Sequence, residues 1–227
     1  MPSASDKFPK VPSSKVAVLT GDVVGSTRSS SKPQELLDSL NEAARAVKTA
    51  LPDVALSAID IFRGDSWQML VGASSHALRA AVLFRAHLCG GEARDGQSWD
   101  TRVGIGIGSV ESLDWDHISQ SQGEAFIASG EALDRLEKSK CRLGLIGLKA
   151  KDQAAADVVM ILLDALIQRW TAKQAWAVYG ALRDLTQEQI GREFVPPLQQ
   201  RTVADHLDKA DWSAVESVLQ WWEKGFR

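Results

Sequence analysis

Val18-Leu19-Thr20-Gly21-Asp22-Val23-Val24-Gly25-Ser26-Thr27 is an apolar run that stops at Gly-Asp, and Phe62-Arg63-Gly64-Asp65-Ser66 repeats the pattern. Such a run, bounded by turn residues, predicts a buried strand with the Asp where the strand stops. Two carboxylates at the tips of neighbouring strands make a hard oxygen site suited to Mg²⁺ or Mn²⁺. Asp22 and Asp65 are therefore the candidate metal ligands. Beyond Asp22, the turn Val24-Gly25-Ser26-Thr27 leads toward a helical segment. Free backbone N–H groups at a turn of this kind can hold phosphate. Together these features point to a metal–nucleoside triphosphate site. Gly-Asp is also a common turn pair, and a single strand-end Asp is usually a cap or turn former. The pair, and the order of elements around it, distinguish a site from two unrelated turns.

The elements follow outward from this stretch. Lys15 to Thr20 reads as the first strand. Pro33 suits the first turn of a helix, which Leu36, Leu37, Leu40, Ala44 and Val47 continue at helical spacing until Pro52. Ala55 to Phe62 and Trp67 to Val71 read as two strands, with Gly64-Asp65 on the hairpin between them. Asp60 is a polar residue in the first of these: a solvent-facing strand position, or one that faces the same cleft. Ser75 to Leu88 has helical periodicity and Gly90-Gly91 stops it. Thr101 to Val110, TRVGIGIGSV, is a strand with Gly104, Gly106 and Gly108 on one face, where something must approach closely, most commonly a helix. Ala125 to Lys138 is a helix and Cys141 to Leu148 a final strand. This order predicts an α+β fold: a ferredoxin-like βαββαβ arrangement with a mainly antiparallel sheet and helices on one face.

Composition narrows the function classes. The 227 residues suffice for one large domain or two small ones. With 44% hydrophobic and 24% charged residues the chain is an ordinary globular one, and a net charge of −3 gives no overall nucleic-acid signature. No apolar run approaches a membrane span. Residues 1–14 are rich in Pro, Ser and Lys and read as a flexible leader. Cys89, Cys141 and the four scattered histidines lack zinc spacing, and two free thiols suit a reduced, cytoplasmic setting. After Lys151 the composition turns helical and rich in tryptophan, which divides the chain into a sheet-containing domain, 15–150, and an all-α domain, 151–227.

Within that second part, Thr186 is placed as an N-cap, with Ile190 and Phe194 as an apolar stripe. After Pro196-Pro197, Val203 and Leu207 form the buried face of a second short helix. Two helices joined this way read as a helix-turn-helix, with Gln199, Gln200, Arg201 and Thr202 on the exposed start of the recognition helix. Gln and Arg are side chains that read base edges. From Leu166 onward basic and acidic residues balance, so DNA affinity would need doubling by dimerisation; the other reading is a helical module for packing or dimerisation.

GDVVGST, FRGDSWQ, RVGIGIG and QGEAFIASGEALDRLE occur in the order found in SatD-family proteins, and the helices after Leu185 resemble that family's C-terminal helix-turn-helix. The family's N-terminal part is similar in turn to the class III nucleotidyl cyclase domain. The resemblance implies that Asp22 and Asp65 hold Mg²⁺ or Mn²⁺, that Val24 to Thr27 cradle a nucleoside triphosphate, and that the site forms between two protomers of a homodimer. The departures are specific. Cyclases place a base-selecting Lys four residues before the second metal Asp, where this chain has Ile61. Their downstream Asn and Arg fall on Ile127 and Glu131. Arg135, one helical turn on, is the remaining candidate catalytic cation, with a surface salt bridge as its alternative role. Loss of one such charge stabiliser costs a factor of about 10² or more in rate. Three readings follow: a metal–nucleotide-sensing regulator with a DNA-binding helix-turn-helix, a true cyclase producing a cyclic nucleotide, or a transcription regulator whose cyclase-like domain is vestigial.

Overall fold

The computed structural model describes residues 15–25, 33–62, 64–94 and 96–225. The first part of the chain runs β1 (Val16–Val23), α1 (Pro33–Ala50), β2 (Asp60–Phe62), β3 (Ser66–Val71), α2 (Ala77–Cys89), β4 (Thr101–Gly108), α3 (Glu124–Glu137) and β5 (Leu143–Ile146). Five helices follow: α4 (Ala150–Ile167), α5 (Ala172–Ala181), α6 (Gln187–Arg192), α7 (Gln200–Lys209) and α8 (Trp212–Gly225). The sheet order is β2-β3-β1-β4-β5, antiparallel throughout except for the parallel β4–β5 pair. The expected mixed α+β fold and order of elements are present.

The predicted second strand is shorter than expected. Ala55 makes an isolated bridge to Val71, and regular pairing resumes only at Asp60. Between them the Ser57 hydroxyl accepts the Leu70 N–H at 2.9 Å, so a side chain takes a place in the ladder.

Strand alternation sorts the core into two sides. Leu19, Met69, Val103 and Ile105 face α1 and α2, and with Leu145 of β5, which α4 covers, they join one apolar cluster. That cluster continues without a break into the helices after β5, through Met160, Leu163, Trp176, Ile190, Val203 and Trp222. Val16, Val18 and Leu70 face the other way and pack with Ala125 and Phe126 of α3. The expectation of helices on one face is therefore corrected: α1 and α2 cover one face, and α3 the opposite one.

Glycine explains how α3 fits there. A Cβ on Gly106 would lie 2.1 Å from the Ala125 carbonyl oxygen and 2.2 Å from the Ser129 nitrogen. Gly104 and Gly108 meet the same helix. The helix backbone rests directly on bare strand. Buried hydrogen bonds then tie it down: the Thr20 and Ser129 hydroxyls are 2.7 Å apart, and the Gln68 amide donates to Thr20 at 2.7 Å.

The pairing directions carry the functional consequence. β1 ends where β3, β4 and β5 begin, so one rim of the sheet collects Asp22, Asp65, Arg102 and the residues just before β5.

Candidate functional site

Asp22 sits opposite Ser66 of β3 and Arg102 of β4 in the sheet register. All three occupy the α3 side of the sheet, because side chains two apart share a face. Arg102 grips Asp22 with both ends of its guanidinium: Nε donates to Oδ1 at 2.8 Å and Nη2 to Oδ2. The hydrogen bonds to Asp22 hold the Arg102 guanidinium above its ordinary pKa, with the charges of Asp22, Glu137 and Asp65 adding to them against a smaller desolvation. Asp65 is thus inside the same electrostatic cluster. Its backbone completes the link to β1, since the Val23 N–H donates to the Asp65 carbonyl at 3.2 Å. The structure brings the two sequence-predicted carboxylates to adjacent positions on one rim.

The turn after β1 is arranged differently from a simple phosphate cradle. The Val24 N–H already donates to the Asp100 carbonyl at 2.8 Å. Gly25 is exposed and left-handed, φ 76°, a conformation glycine adopts without cost. Ser26 and Thr27 lie outside the described residues. Asp60, the polar residue of β2, faces neither carboxylate as a ligand: its Oδ2 accepts the Ser119 N–H at 2.8 Å.

Beside Arg102 lies a buried ionic network that spacing did not reveal. Arg85 of α2 is fully buried and donates to Asp100 through Nε and Nη2, both at 3.0 Å, and to Asp164 of α4 at 2.7 Å. Arg142 bonds the same Asp100 through its side chain, and its backbone N–H donates to Asp164 Oδ2 at 2.7 Å. Burial works to raise the Asp100 pKa, but the charge and hydrogen bonds of Arg85 and Arg142 outweigh it and hold the carboxyl below its usual range. Asp100 therefore anchors the rim to α4 at one end and, through its carbonyl, to the turn after Asp22 at the other.

Arg135 is exposed on α3 and lines a separate groove of about 290 Å³ over β5 and α4, together with Asp157 and Ile161. That groove adjoins the cavity that Arg102 lines, sharing Ser139 and Cys141 with it, but Arg135 does not line the latter. Ile127 is 65% exposed.

In the C-terminal helices Thr186 caps α6 in a reciprocal capping box with Gln189, as its position predicted. Ile190, Phe194, Val203 and Leu207 are buried. Gln199 is the N-cap residue of α7, Gln200 and Arg201 are exposed, and Thr202 is half-buried. The connection between α6 and α7 is pinned from outside the pair: the Val195 N–H donates to the Ala93 carbonyl at 3.0 Å, and Trp176 Nε1 to the Glu193 carbonyl at 3.2 Å.

The residues missed from sequence are Arg102, Asp100, Arg142 and Arg85. Arg102 had a visible signal, as the one charged residue in an apolar-glycine strand whose pairing partner would be a strand-end Asp. The others are joined across separations of 15 to 79 residues and carry no local pattern.

Asp22 and Asp65 are oxygen donors of the kind a hard divalent cation takes, with both Asp22 oxygens bonded by Arg102 in this structure. Two carboxylates on one rim, with the Asp22 side chain 14% exposed, resemble sites where Mg²⁺ keeps waters and takes phosphate oxygens. Among the described residues no three His, Cys, Asp or Glu side chains gather as a self-sufficient metal site. Also among the described residues, no helix is long and apolar enough to cross a membrane.

No protein-family profile matches the chain, and no curated protein matches its sequence. Solved structures align with part of the chain. A bacterial light-regulated adenylyl cyclase aligns over 58% of this chain and 42% of its own, with 13% identity and a TM-score of 0.41. The chain thus spans less than half of that protein's length. The guanylyl cyclase Cya2 aligns over 55% of this chain and 69% of its own, at 20% identity and TM-score 0.37. The GGEEF domain of a diguanylate cyclase from Vibrio cholerae aligns over 60% and 85%, at 10% identity and TM-score 0.43.

Proposed function

We propose that this chain senses a metal–nucleoside triphosphate through a nucleotidyl cyclase-like domain and passes that state to a C-terminal helix-turn-helix that binds DNA. One observation carries the reading: Asp22 and Asp65 share a rim with Arg102, so acidic and basic groups stand side by side where a cation and a polyphosphate would bind together. Asp22 and Asp65 would hold Mg²⁺ or Mn²⁺, which when bound neutralises the triphosphate. Arg102 serves Asp22 as its countercharge. Once the carboxylate is claimed by an ion, the guanidinium is free to take phosphate oxygens in a bidentate manner. Gly25, and Ser26 and Thr27 beyond it, remain the proposed phosphate-facing turn.

Sensing is favoured over turnover by what stands where a cyclase keeps its catalytic groups. Ile61, Ile127 and Glu131 replace the base-selecting and transition-state residues, and Arg135 lines another groove. For the helical part, exposed Gln200 and Arg201 at the start of α7 support base contact, with a homodimer supplying the affinity that a neutral module lacks.

The test is incubation with each of the four nucleoside triphosphates and Mn²⁺, followed by mass spectrometry for cyclic products and pyrophosphate. The expected result is no cyclic product above that of Asp65→Ala. A product that the variant fails to make would establish an enzyme instead.

A further inference from the structure

Next to Arg102 the rim opens into a cleft of about 340 Å³, lined by Val24, Arg102, Ser139, Lys140, Arg142 and Gln168. That is the small end of the range for ligand sites. Its far wall is the loop between α3 and β5, Lys138-Ser139-Lys140-Cys141-Arg142, where cations alternate. The sheet order fixes the sequence of charges along the rim: Asp65 before β3, Asp22 on β1, Arg102 on β4, then Lys140 and Arg142 before β5. Neighbouring strands are about 4.8 Å apart, so the row passes from acidic to basic within roughly 15 Å.

Two of these cations are already matched, Arg102 by Asp22 and Arg142 by Asp100. Lys140 makes no ion pair with any described residue, and it is exposed. The wall behind it is held in shape. Gln168 Nε2 donates to the Lys140 carbonyl at 3.1 Å and to Asp164 at 2.7 Å, and Asp164 also accepts the Arg142 N–H. Arg85, fully buried, locks Asp164 and Asp100 from below. A preorganised loop that carries a surplus cation, facing a second guanidinium across the cleft, is built for an anion with several charged oxygens.

We propose that Lys140 and Arg142 form a polyphosphate subsite, which takes the outer phosphates of the nucleotide proposed above or a free inorganic polyphosphate. This rests on the proposed metal–nucleotide reading for the first ligand and is independent of it for the second. Through the Arg142 N–H and Gln168 the subsite is hydrogen-bonded to Asp164 of α4, where the helical part of the chain begins.

The probe is inorganic tripolyphosphate in EDTA, titrated calorimetrically into the full chain and into Lys140→Glu and Lys138→Glu. Lys138 carries the same charge on the same loop but does not line the cleft. The expected result is binding to the wild type, a loss of roughly tenfold or more in Lys140→Glu, and little change in Lys138→Glu. Equal weakening in the two lysine variants would reduce the effect to general surface charge and overturn the proposal, as would no binding to the wild type. Unchanged melting of Lys140→Glu guards against misfolding. A parallel titration with Mn²⁺ and nucleoside triphosphate separates the two readings. Nucleotide binding that Lys140→Glu leaves intact, with no tripolyphosphate binding, sinks the subsite and keeps the metal site. Tripolyphosphate binding without nucleotide binding does the reverse.

Discussion

Arg85→Met will lose about 3–5 kcal/mol of folding stability, read from urea denaturation. Arg85 has no exposed surface and answers two carboxylates, Asp100 and Asp164, the second of which is itself 1% exposed. Its guanidinium pKa is raised: burial would lower it, but the charge and hydrogen bonds of Asp100, with Asp164 behind them, more than compensate. Methionine fills much of the volume and supplies no charge, so the buried Asp164 carboxylate must protonate or draw in water. Asp100 keeps Arg142, while Asp164 keeps only hydrogen bonds from the Arg142 backbone and Gln168. The double variant Arg85→Met, Asp164→Leu should therefore recover part of the loss, because the worst-placed charge leaves with its partner. A loss below about 1 kcal/mol in Arg85→Met would mean that the network is not the anchor described.

The second large effect is a loss of stability in mild acid, traced to His87. This ring is 5% exposed, packed edge-on against Trp176 and Tyr179, and its Nδ1 has no hydrogen-bond partner among the described residues. Burial, then the charges of Arg94, Arg183 and Arg45, push its pKa down to about 3 from 6.5. Below the unfolded value the unfolded chain binds a proton that the folded chain refuses. Stability from this group is thus complete above pH 6.5 and falls as the pH drops toward the folded value. The slope approaches roughly 1.4 kcal/mol per pH unit. His87→Phe keeps an aromatic ring against Trp176 and Tyr179 and removes the proton. Between pH 6 and pH 4.5 the wild type should lose more stability than the variant, by an amount that grows with each step down. Parallel pH profiles for the two proteins would place the acid sensitivity elsewhere.

Much of the first part of the fold was legible because its signals are local. The two Gly-Asp endings, the helix from Pro33 to the segment before Pro52 and the alternating glycines each announce an element or a close approach. The glycines at 104, 106 and 108 correctly implied a packed helix. They did not say which face of the sheet it takes, because that depends on the β1–β4 register, which joins residues about 80 apart. Ala55 to Phe62 looked like one strand because its residue types suit a strand, yet Ser57 diverts the ladder through its side chain. For the site, carboxylates at strand ends could be read directly. Their countercharge left only the mark of a lone Arg in a glycine strand, since Arg102 meets Asp22 only once β4 lies beside β1. The Arg85–Asp100–Asp164–Arg142 network joins α2, the start of β4, α4 and the start of β5, and no periodicity within any of them predicts the others. In the C-terminal helices, Thr186 was found from capping chemistry alone, while the ties of the α6–α7 connection to Ala93 and Trp176 are tertiary.

The claim at the centre is that Asp22 and Asp65 hold a metal–nucleotide, and stability with ligand tests it most directly. Urea denaturation of the wild type and Asp65→Ala, each with and without Mn²⁺ and each nucleoside triphosphate in turn, is the measurement. At 100 times its Kd, one of these mixtures should stabilise the wild type by about 2.7 kcal/mol and leave Asp65→Ala where it was. Wild type and variant stabilised alike, or neither stabilised by any mixture, would contradict a metal–nucleotide site on this rim.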